Sequence, residues 1–192
     1  AKTIAMAAIM GNTGRIAAVE PIKGRFHRLR ANVARCGVSN VAFYQRDGRG
    51  VGKAVPERFD RVLLDAPCRS DALMRWDDPA SFNHWSRRKV KEAQRKQKSL
   101  LRSAYAALKP GGILVYCTCS FSVAENEAVV AHLLKRSDAM VAEISLENSH
   151  SRAGLTQWRG KALPSDLAKT MRLIPTGPWD GFYIARLVKP GG

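Results

Sequence analysis

The sequence predicts an α/β protein with a right-handed, doubly wound parallel sheet. Short apolar runs that end in polar residues alternate along the chain with longer stretches of helical periodicity. The apolar runs at 59–64 and 113–118 are typical of buried parallel strands, because such strands are covered on both faces. A chain of 192 residues is long enough for a sizeable core, so we expect one domain over 1–192.

Each element follows from its periodicity and from the residues that end it. The first helix stops at Gly11 or Gly14 and the second at Gly37, while Pro110 and Gly111 stop the long third helix. The predicted helices are 3–10, 22–36, 84–108 and 125–135. The predicted strands are 15–20, 41–47, 59–64, 113–118, 140–146, 171–174 and 181–188, and 147–170 is interpreted as an irregular loop with a short helix. The inward stripe of the second helix consists of Phe26, Leu29, Val33 and Cys36.

The charge of the chain is its most unusual bulk property. Thirty-two Lys and Arg against sixteen Asp and Glu give a net charge of +16, so the molecule repels itself unless it meets a polyanion. Nucleic acid is the first candidate partner, and an anionic membrane surface is the competing one. No apolar run approaches the roughly 18 residues of a spanning helix, and residues 1–10 lack the features of a signal peptide. We therefore expect a cytoplasmic protein without a membrane partner.

One predicted helix concentrates positive charge on one side. Its cations recur every three or four positions, and like charges at that spacing destabilise a helix by about 0.2–0.5 kcal/mol per pair. A phosphate backbone explains this ridge better than folding does, and a solvated helix face is the alternative. The predicted RNA-binding ridge consists of Arg87, Lys91, Arg95, Lys98 and Arg102. The predicted core-facing row of the same helix consists of Val90, Gln97, Leu101, Ala104 and Leu108.

Two of the four cysteines stand at the ends of predicted strands, Cys68 after 59–64 and Cys119 after 113–118. The chemistry of open α/β sheets lies beyond the carboxyl ends of the strands, so both thiols are expected to face one crevice. The alternative is that each is a small buried hydrophobe. A core of this size needs no disulfides, so we expect reduced thiols, and the spacing of Cys117 and Cys119 does not suit zinc. No metal is therefore expected.

Carboxylates end three successive predicted strands and would reach one sheet edge. They are Glu20, Asp47 and Asp65. An acidic residue after the second strand of such a sheet can accept hydrogen bonds from ribose hydroxyls, so the three together indicate a pocket for a nucleoside-containing ligand. Taken singly, each is a turn residue or a helix cap in the alternative interpretation. The run at 48–54 lacks the full phosphate-loop pattern and is interpreted as a flexible basic loop.

The cysteines belong to a wider pattern of motifs. In chain order these are Asp65-Ala66-Pro67-Cys68, Pro110-Gly111-Gly112, Tyr116, Thr118-Cys119-Ser120, Glu125-Asn126-Glu127 and Asp180-Gly181-Phe182-Tyr183-Ile184-Ala185-Arg186. The pattern resembles the Nop/Sun family of RNA cytosine-C5 methyltransferases over nearly the whole chain. The resemblance implies a Rossmann-like class I S-adenosylmethionine-dependent methyltransferase fold, with a mostly parallel sheet and an antiparallel C-terminal strand.

The resemblance also implies a mechanism. Cys119 is the nucleophile that adds to C6 of the target cytosine, Cys68 assists loss of the C5 proton and release of product, and Asp65 hydrogen-bonds the base. S-adenosylmethionine is the implied cofactor, with its ribose held by Glu20 and its adenine faced by Asp47. The implied cofactor-binding set is Glu20, Asp47, Asp65, Lys2 and Arg25. The implied substrate is RNA, either ribosomal or transfer RNA.

The chain departs from the family pattern in two places. The family's first strand and glycine loop should precede Thr3, so we expect an N-terminally incomplete domain that binds the cofactor weakly or not at all. After Cys68 the family usually has Ser-Gly, whereas this chain has Arg69-Ser70-Asp71, which puts the substrate preference in question. Two other functions stay open: a non-catalytic RNA-binding remnant, and a DNA cytosine-C5 methyltransferase that uses Cys68 as its nucleophile.

Overall fold

The computed structural model describes residues 1–69, 74, 77–82, 86–146, 150–176 and 180–191. Strands and helices alternate along the described chain, which confirms the predicted α/β class. The chain divides into two compact units, residues 1–50 and 51–192. The expectation of one methyltransferase domain over 1–192 stays a prediction. Among the helices of the described residues, none is both long and apolar enough to cross a membrane.

The first unit is a βαβ motif preceded by a helix. Its two strands are parallel, with Ile16 beside Val41 and Val19 beside Tyr44. Parallel strands need a crossover connection, and the helix between them supplies it. The elements are α1 (Lys2–Ile9), β1 (Ile16–Val19), α2 (Lys23–Arg35), β2 (Val41–Tyr44) and a 3₁₀ turn at Gly48–Gly50.

Helix α2 buries only part of its predicted inward stripe. Phe26 and Val33 are buried and Leu29 is half-buried, but Cys36 is exposed. The prediction for Cys36 is wrong because α2 ends one residue earlier and Cys36 is its C-cap. The following Gly37 has a φ of 66°, the left-handed conformation in which many helices terminate.

The second unit contains the larger sheet. Its helices are α3 (Val51–Ala54), α4 (Arg87–Ala106) and α5 (Glu127–Leu134), with 3₁₀ turns at Pro79–Phe82 and Ser165–Lys169. Its strands are β3 (Phe59–Asp65), β4 (Leu108–Thr118), β5 (Met140–Ala142), β6 (Ser151–Ala153), β7 (Gln157–Trp158), β8 (Lys161–Ala162), β9 (Met171–Leu173) and β10 (Phe182–Val188). The sheet order is β3-β4-β10-β9-β6, and β5 also pairs with β10, while β7 and β8 pair with each other.

The strand directions of this sheet follow the predicted arrangement. Strands β3 and β4 are parallel, and their register places Asp65 beside Cys117. The final strand β10 is antiparallel to β4, and β9 pairs with β10 as expected for 171–174. The short strands β5 and β6, both antiparallel to their neighbours, extend the sheet further. The parallel pair β3–β4 is therefore where two strand ends meet at one edge.

Helix α4 packs against β3 and β4 through its apolar side. It begins after Ser86, whose Oγ accepts a hydrogen bond from the Lys89 N–H at 3.2 Å. It ends at Ala106, and β4 begins earlier than predicted, at Leu108. The predicted inward row is confirmed within the helix, where Val90, Gln97 and Leu101 are buried and Ala104 is half-buried. Leu108 is also buried, but its predicted place on the helix is wrong, because α4 has ended and Leu108 is the first residue of β4. Leu101 and Leu108 belong to a core that includes Leu114, Tyr116, Val130, Tyr183 and Leu187, and Ala104 packs against it.

The segment after Asp47 is helical, so the predicted flexible loop is wrong. The cause is a tertiary contact made by Gly52 in α3. The Gly52 N–H donates to Ser103 Oγ at 2.9 Å, and a Cβ at this position would lie 2.3 Å from the Ser103 carbonyl oxygen. Glycine therefore lets α3 approach α4 more closely than any other residue could.

Candidate active site

Two loops follow the carboxyl ends of the neighbouring strands β3 and β4. The first, residues 66–69, carries Cys68, and the second, residues 119–126, carries Cys119. Both cysteines are half-buried and reduced, and their Sγ atoms lie 2.8 Å apart. The structure thus brings the two predicted thiols together at one sheet edge, because parallel neighbours end on the same side.

The third cysteine of this region lies inside β4. Cys117 is 2% exposed, and its Sγ lies 3.8 Å from the Leu64 carbonyl oxygen and 3.8 Å from Asp65 Oδ1. Asp65 itself is exposed at the end of β3. Its carboxylate is therefore accessible from solvent while Cys117 behaves as a buried core thiol.

A fully buried carboxylate, Glu125, connects the two loops. Its Oε2 accepts hydrogen bonds from the Arg69 backbone N–H at 3.2 Å and from Gln97 Nε2 at 2.8 Å. Its Oε1 lies 3.4 Å from Ser120 Oγ, which donates to it. Gln97, buried on α4, also donates to the Pro67 carbonyl oxygen at 2.9 Å. The backbone on both sides of Cys68, and the residue after Cys119, therefore share one set of hydrogen bonds.

Asn126 closes the second loop on itself. Its Oδ1 accepts from Thr118 Oγ1 at 2.6 Å, and its Nδ2 donates to the Ser120 carbonyl oxygen at 2.7 Å. Below the loop, the Tyr116 hydroxyl donates to the Glu125 carbonyl oxygen at 2.5 Å. Burial, with smaller contributions from neighbouring Tyr183, Glu125 and thiols, raises the pKa of Tyr116 well above its ordinary value, so the phenol stays a donor.

Glu127 points to a different part of the second unit. Its two oxygens accept from Arg172 Nε at 2.7 Å and Nη2 at 2.5 Å, and Oε1 also accepts from the Leu155 N–H at 3.0 Å. Arg172 Nη1 in turn donates to the Phe121 carbonyl oxygen at 3.0 Å. This buried ion pair links α5 to β9.

Sequence reasoning missed the parts played by Gln97, Asn126 and Arg172, and it recorded Glu125 only as part of a motif. The signal that could have found Gln97 is its place in an otherwise apolar row, because a buried amide must be hydrogen-bonded. Of the departure at residues 69–71, Arg69 contacts Glu125, while positions 70 and 71 lie outside the described residues.

In the first unit, Glu20 and Asp47 follow the neighbouring parallel strands β1 and β2 and so lie at the same end of that pair. Glu20 Oε1 accepts from the Ile22 N–H at 2.9 Å, and Oε2 lies 3.2 Å from Arg25 Nε. Asp47 accepts from the Arg49 backbone N–H at 2.9 Å and from its guanidinium at 2.9 and 2.7 Å. A carboxylate has about four acceptor positions, and both side chains have the chemistry to accept from ribose hydroxyls or an adenine amine.

The remaining members of the predicted cofactor set are placed as follows. Arg25 lies on α2 beside Glu20, Lys2 is the first residue of α1, and Asp65 lies in the second unit. The alternative interpretation of Glu20 as a helix cap holds for one of its oxygens. Glu20 Oε1 accepts a hydrogen bond from the N–H of Ile22, the N-cap residue of α2. Across the parts of the chain that the structure describes, no three His, Cys, Asp or Glu side chains group as metal ligands.

The cationic ridge lies on a face of α4 separate from its buried row. Exposed are Arg87, Lys91, Arg95 and Arg102, and half-buried is Lys98. Glu92 on the same helix pairs with Arg88, a residue outside the ridge, at 3.6 Å. Burial and nearby Arg136 lower the pKa of Lys98. Burial, followed by Arg136, Lys98 and Arg102, lowers the pKa of His132 on α5. Positive charge is therefore crowded where α4 and α5 meet.

Comparison with known proteins places this arrangement in context. The family model described as 16S rRNA methyltransferase RsmB/F matches residues 1–188. Ribosomal RNA small subunit methyltransferase F of Vibrio vulnificus is 41% identical over 189 residues, and the protein of the same name from Erwinia tasmaniensis is 47% identical over 189 residues. Each alignment covers 98% of this chain and 38% of the relative. The chain thus spans less than half the length of these relatives.

Two solved structures from Pyrococcus horikoshii share the fold. A methyltransferase homolog protein superposes with a TM-score of 0.84 at 32% identity, covering 98% of this chain and 58% of that chain. The structure of NSun6 with SFG superposes with a TM-score of 0.79 at 30% identity, covering 100% of this chain and 45% of that chain.

Proposed function

The chain belongs to the 16S rRNA methyltransferase RsmB/F family, and on that premise we propose that it is the catalytic part of an enzyme that methylates C5 of cytosine in RNA. Family membership confirms the resemblance drawn from the Pro-Cys and Thr-Cys motifs. The observation that carries the proposal is the 2.8 Å approach of the Cys68 and Cys119 sulfurs at the shared edge of β3 and β4.

Cys119 is the proposed nucleophile because C5 of a neutral cytosine is itself a poor one. The Cys119 sulfur forms a bond to C6, the C5–C6 double bond opens, and its electron pair becomes available at C5. S-adenosylmethionine, when bound, would supply a methyl group from its sulfonium to C5 and would be left as a thioether. The Cys68 thiolate then takes the proton from C5, the double bond forms again, and the Cys119 sulfur leaves C6. Two thiols in contact, each on its own loop, suit these two successive roles.

Asp65 is the proposed contact to the base. It ends β3 with an exposed carboxylate, which can accept a hydrogen bond from the exocyclic amine of a cytosine turned out of its stack. An acidic acceptor at this position favours cytosine over uracil, whose corresponding group is a carbonyl oxygen. This contact supports the choice of cytosine as the substrate base.

Glu20 and Asp47 are the proposed cofactor contacts in the first unit, with Arg25 and Lys2 as further members of the set. A structure that resembles this chain holds SFG, an analogue of S-adenosylmethionine. The two carboxylates have the chemistry to bind ribose hydroxyls and an adenine amine, and they lie at one end of neighbouring strands. Their hydrogen bonds to Ile22 and Arg49 fix where the oxygens point.

The substrate we propose is small-subunit ribosomal RNA, since that is the RNA named for the relatives. The ridge on α4 would bind its phosphates. Lys91→Gln should weaken binding of a 16S rRNA fragment and make the slope of log K against log salt shallower by about 0.7–0.9. Fluorescence anisotropy at several salt concentrations measures this slope.

Arg88→Gln is the matched control for this experiment, because Arg88 lies on the same helix outside the ridge and pairs with Glu92. It removes the same charge and should leave the slope close to that of the unaltered chain. Equal slopes for the two variants would contradict a specific role for the ridge and favour the solvated-face alternative.

Covalent trapping tests the assignment of the thiols. The chain is incubated with 16S rRNA and S-adenosylmethionine, and RNA–protein complexes that survive denaturing electrophoresis are measured. Cys119→Ala should form none, and Cys68→Ala should accumulate them, because release of the adduct is impaired. Cys36→Ala, at an exposed site in the first unit, is the control and should match the unaltered chain. Loss of complexes in Cys68→Ala with retention in Cys119→Ala would overturn the assignment and favour the DNA-type mechanism.

A further inference from the structure

We propose that Glu125, with Gln97, is a positioning residue that sets the distance between Cys68 and Cys119. The inference rests on the proposed function, because it gives these two thiols their catalytic roles. Gln97 and Glu125 act on the first loop through the backbone of Pro67 and Arg69, and Glu125 acts on the second loop through the hydroxyl of Ser120.

The first loop is held at two points on either side of Cys68. Before it, the Pro67 carbonyl oxygen accepts from Gln97 Nε2 at 2.9 Å, and after it, the Arg69 N–H donates to Glu125 Oε2 at 3.2 Å. The same Gln97 amide also donates to Glu125 Oε2 at 2.8 Å, which joins the two points. With its neighbours fixed on both sides, the Cys68 Cα has little freedom to move.

The second loop is held by the other oxygen of the same carboxylate. Ser120, which directly follows Cys119, donates from Oγ to Glu125 Oε1 at 3.4 Å. Ser120 Oγ also accepts from the Ser122 N–H at 3.1 Å. The two oxygens of one rigid carboxylate thus contact the loops of both thiols, so the spacing of the loops follows from the geometry of a single group.

Glu125 is itself fixed in place. Its side chain is fully buried, its N–H donates to the Ser122 carbonyl oxygen at 2.9 Å, and its own carbonyl oxygen accepts from the Tyr116 hydroxyl at 2.5 Å. Tyr116 lies in β4, the strand that also delivers Cys119. The carboxylate is therefore held in register with the strand end at which the chemistry is proposed.

The rate at which Cys68 and Cys119 form a disulfide measures their relative position. Diamide is the oxidant: the two thiols give up two protons and two electrons, an S–S bond forms, and the azo bond of diamide is reduced. Peptide mapping by mass spectrometry follows the Cys68–Cys119 product, and alkylation of exposed Cys36 serves as an internal reference. Neither RNA nor cofactor is needed. Failure of this test is therefore distinct from failure of the trapping experiment above.

Glu125→Ala should slow Cys68–Cys119 pairing about tenfold or more, because loss of positioning by about 1 Å has effects of that size or larger. Glu125→Gln should restore most of the rate, since its amide oxygen can still accept from Arg69 and Gln97 while its amide nitrogen donates to Ser120. Glu127→Gln is the matched control: it alters a buried carboxylate two residues further along, whose hydrogen bonds go to Arg172 and Leu155 and not to the residues beside the thiols. Its pairing rate should equal that of the unaltered chain.

The proposal would be overturned if Glu125→Ala formed the Cys68–Cys119 disulfide at the rate of the unaltered chain. It would also be overturned if Glu127→Gln slowed disulfide formation as much as Glu125→Ala, because that would show a general effect of the fold. If Glu125→Ala does not fold, Gln97→Met decides the matter. It keeps the volume and removes the donor to Pro67 and Glu125. We expect slower pairing in a variant with unchanged circular dichroism. The unaltered rate in folded Gln97→Met would overturn the inference.

Discussion

Glu125 ends the loop before α5 and Glu127 is the first residue of that helix, and both are fully buried, but the regions around them differ in kind. Among the contacts of the described residues, the Glu125 carboxylate accepts hydrogen bonds from a backbone N–H, a side-chain amide and a hydroxyl. Around Glu127 the Arg172 guanidinium donates to both oxygens. The first carboxylate connects two loops, and the second connects a helix to a strand.

The difference shows how a buried charge can serve either geometry or stability. In an ion pair each partner compensates the desolvation of the other, so removal of one leaves the other charged and buried. Neutral donors compensate less charge, and they leave no uncompensated ion behind when the carboxylate is removed. The Glu127 region should therefore matter more for stability, and the Glu125 region more for the position of the thiols.

Glu127→Ala should have the largest effect on stability. It leaves the Arg172 guanidinium, whose side chain is 10% exposed, without its carboxylate, and breaking a buried pair in this way costs about 3–5 kcal/mol. Urea denaturation followed by circular dichroism measures the loss. Asp166→Ala, which breaks a surface pair with Lys169, is the comparison variant and should leave the stability almost unchanged.

Glu125→Ala sharpens the comparison because it removes the acceptor of a backbone N–H, an amide and a hydroxyl. We expect a loss of about 1–3 kcal/mol from hydrogen-bond donors left unsatisfied. The same urea titration gives the value. An equal or larger loss than in Glu127→Ala would break the contrast, since the Glu125 region would then be the main support of the fold.

The strand ends and their thiols could be predicted from sequence because the pattern encodes them locally. An apolar run followed by a polar turn marks where a buried strand stops, and parallel neighbours stop at one edge. Cys68 and Cys119 meet for that reason. The inward row of α4 was likewise predictable, since 3.6-residue periodicity fixes one face of a helix.

The hydrogen bonds that hold the loops could not be predicted because they join distant parts of the chain. Gln97 and Glu125 are 28 residues apart and Glu127 and Arg172 are 45 apart. Charged residues are mostly exposed, so nothing local marks these two glutamates as buried. The same limit explains the α3 segment, whose helical form depends on the approach of Gly52 to Ser103.

The tyrosines of the two regions extend the comparison to alkaline pH. The Tyr116 hydroxyl donates to the Glu125 carbonyl oxygen. The Tyr183 ring lies under the Arg172 guanidinium, whose Cζ is 5.8 Å from the centre of that ring. Burial raises the pKa of both phenols above the ordinary value of 10.0. A raised folded-state pKa stabilises the fold fully below the ordinary value, and this contribution is lost as the pH rises toward the folded-state pKa.

Above pH 10 the unfolding free energy of the unaltered chain falls with pH, because each of these tyrosines ionises only in the unfolded chain. Phenylalanine cannot ionise, so Tyr116→Phe and Tyr183→Phe should each make this slope shallower by about 1.4 kcal/mol per pH unit. Tyr116→Phe should also lose about 1 kcal/mol at neutral pH, since its hydrogen bond to Glu125 is removed. Urea titrations at neutral and alkaline pH separate the two effects. If Tyr116→Phe leaves the alkaline slope unchanged, Tyr116 ionises while folded, and the Glu125 region cannot be the closed, dry network that positions the thiols.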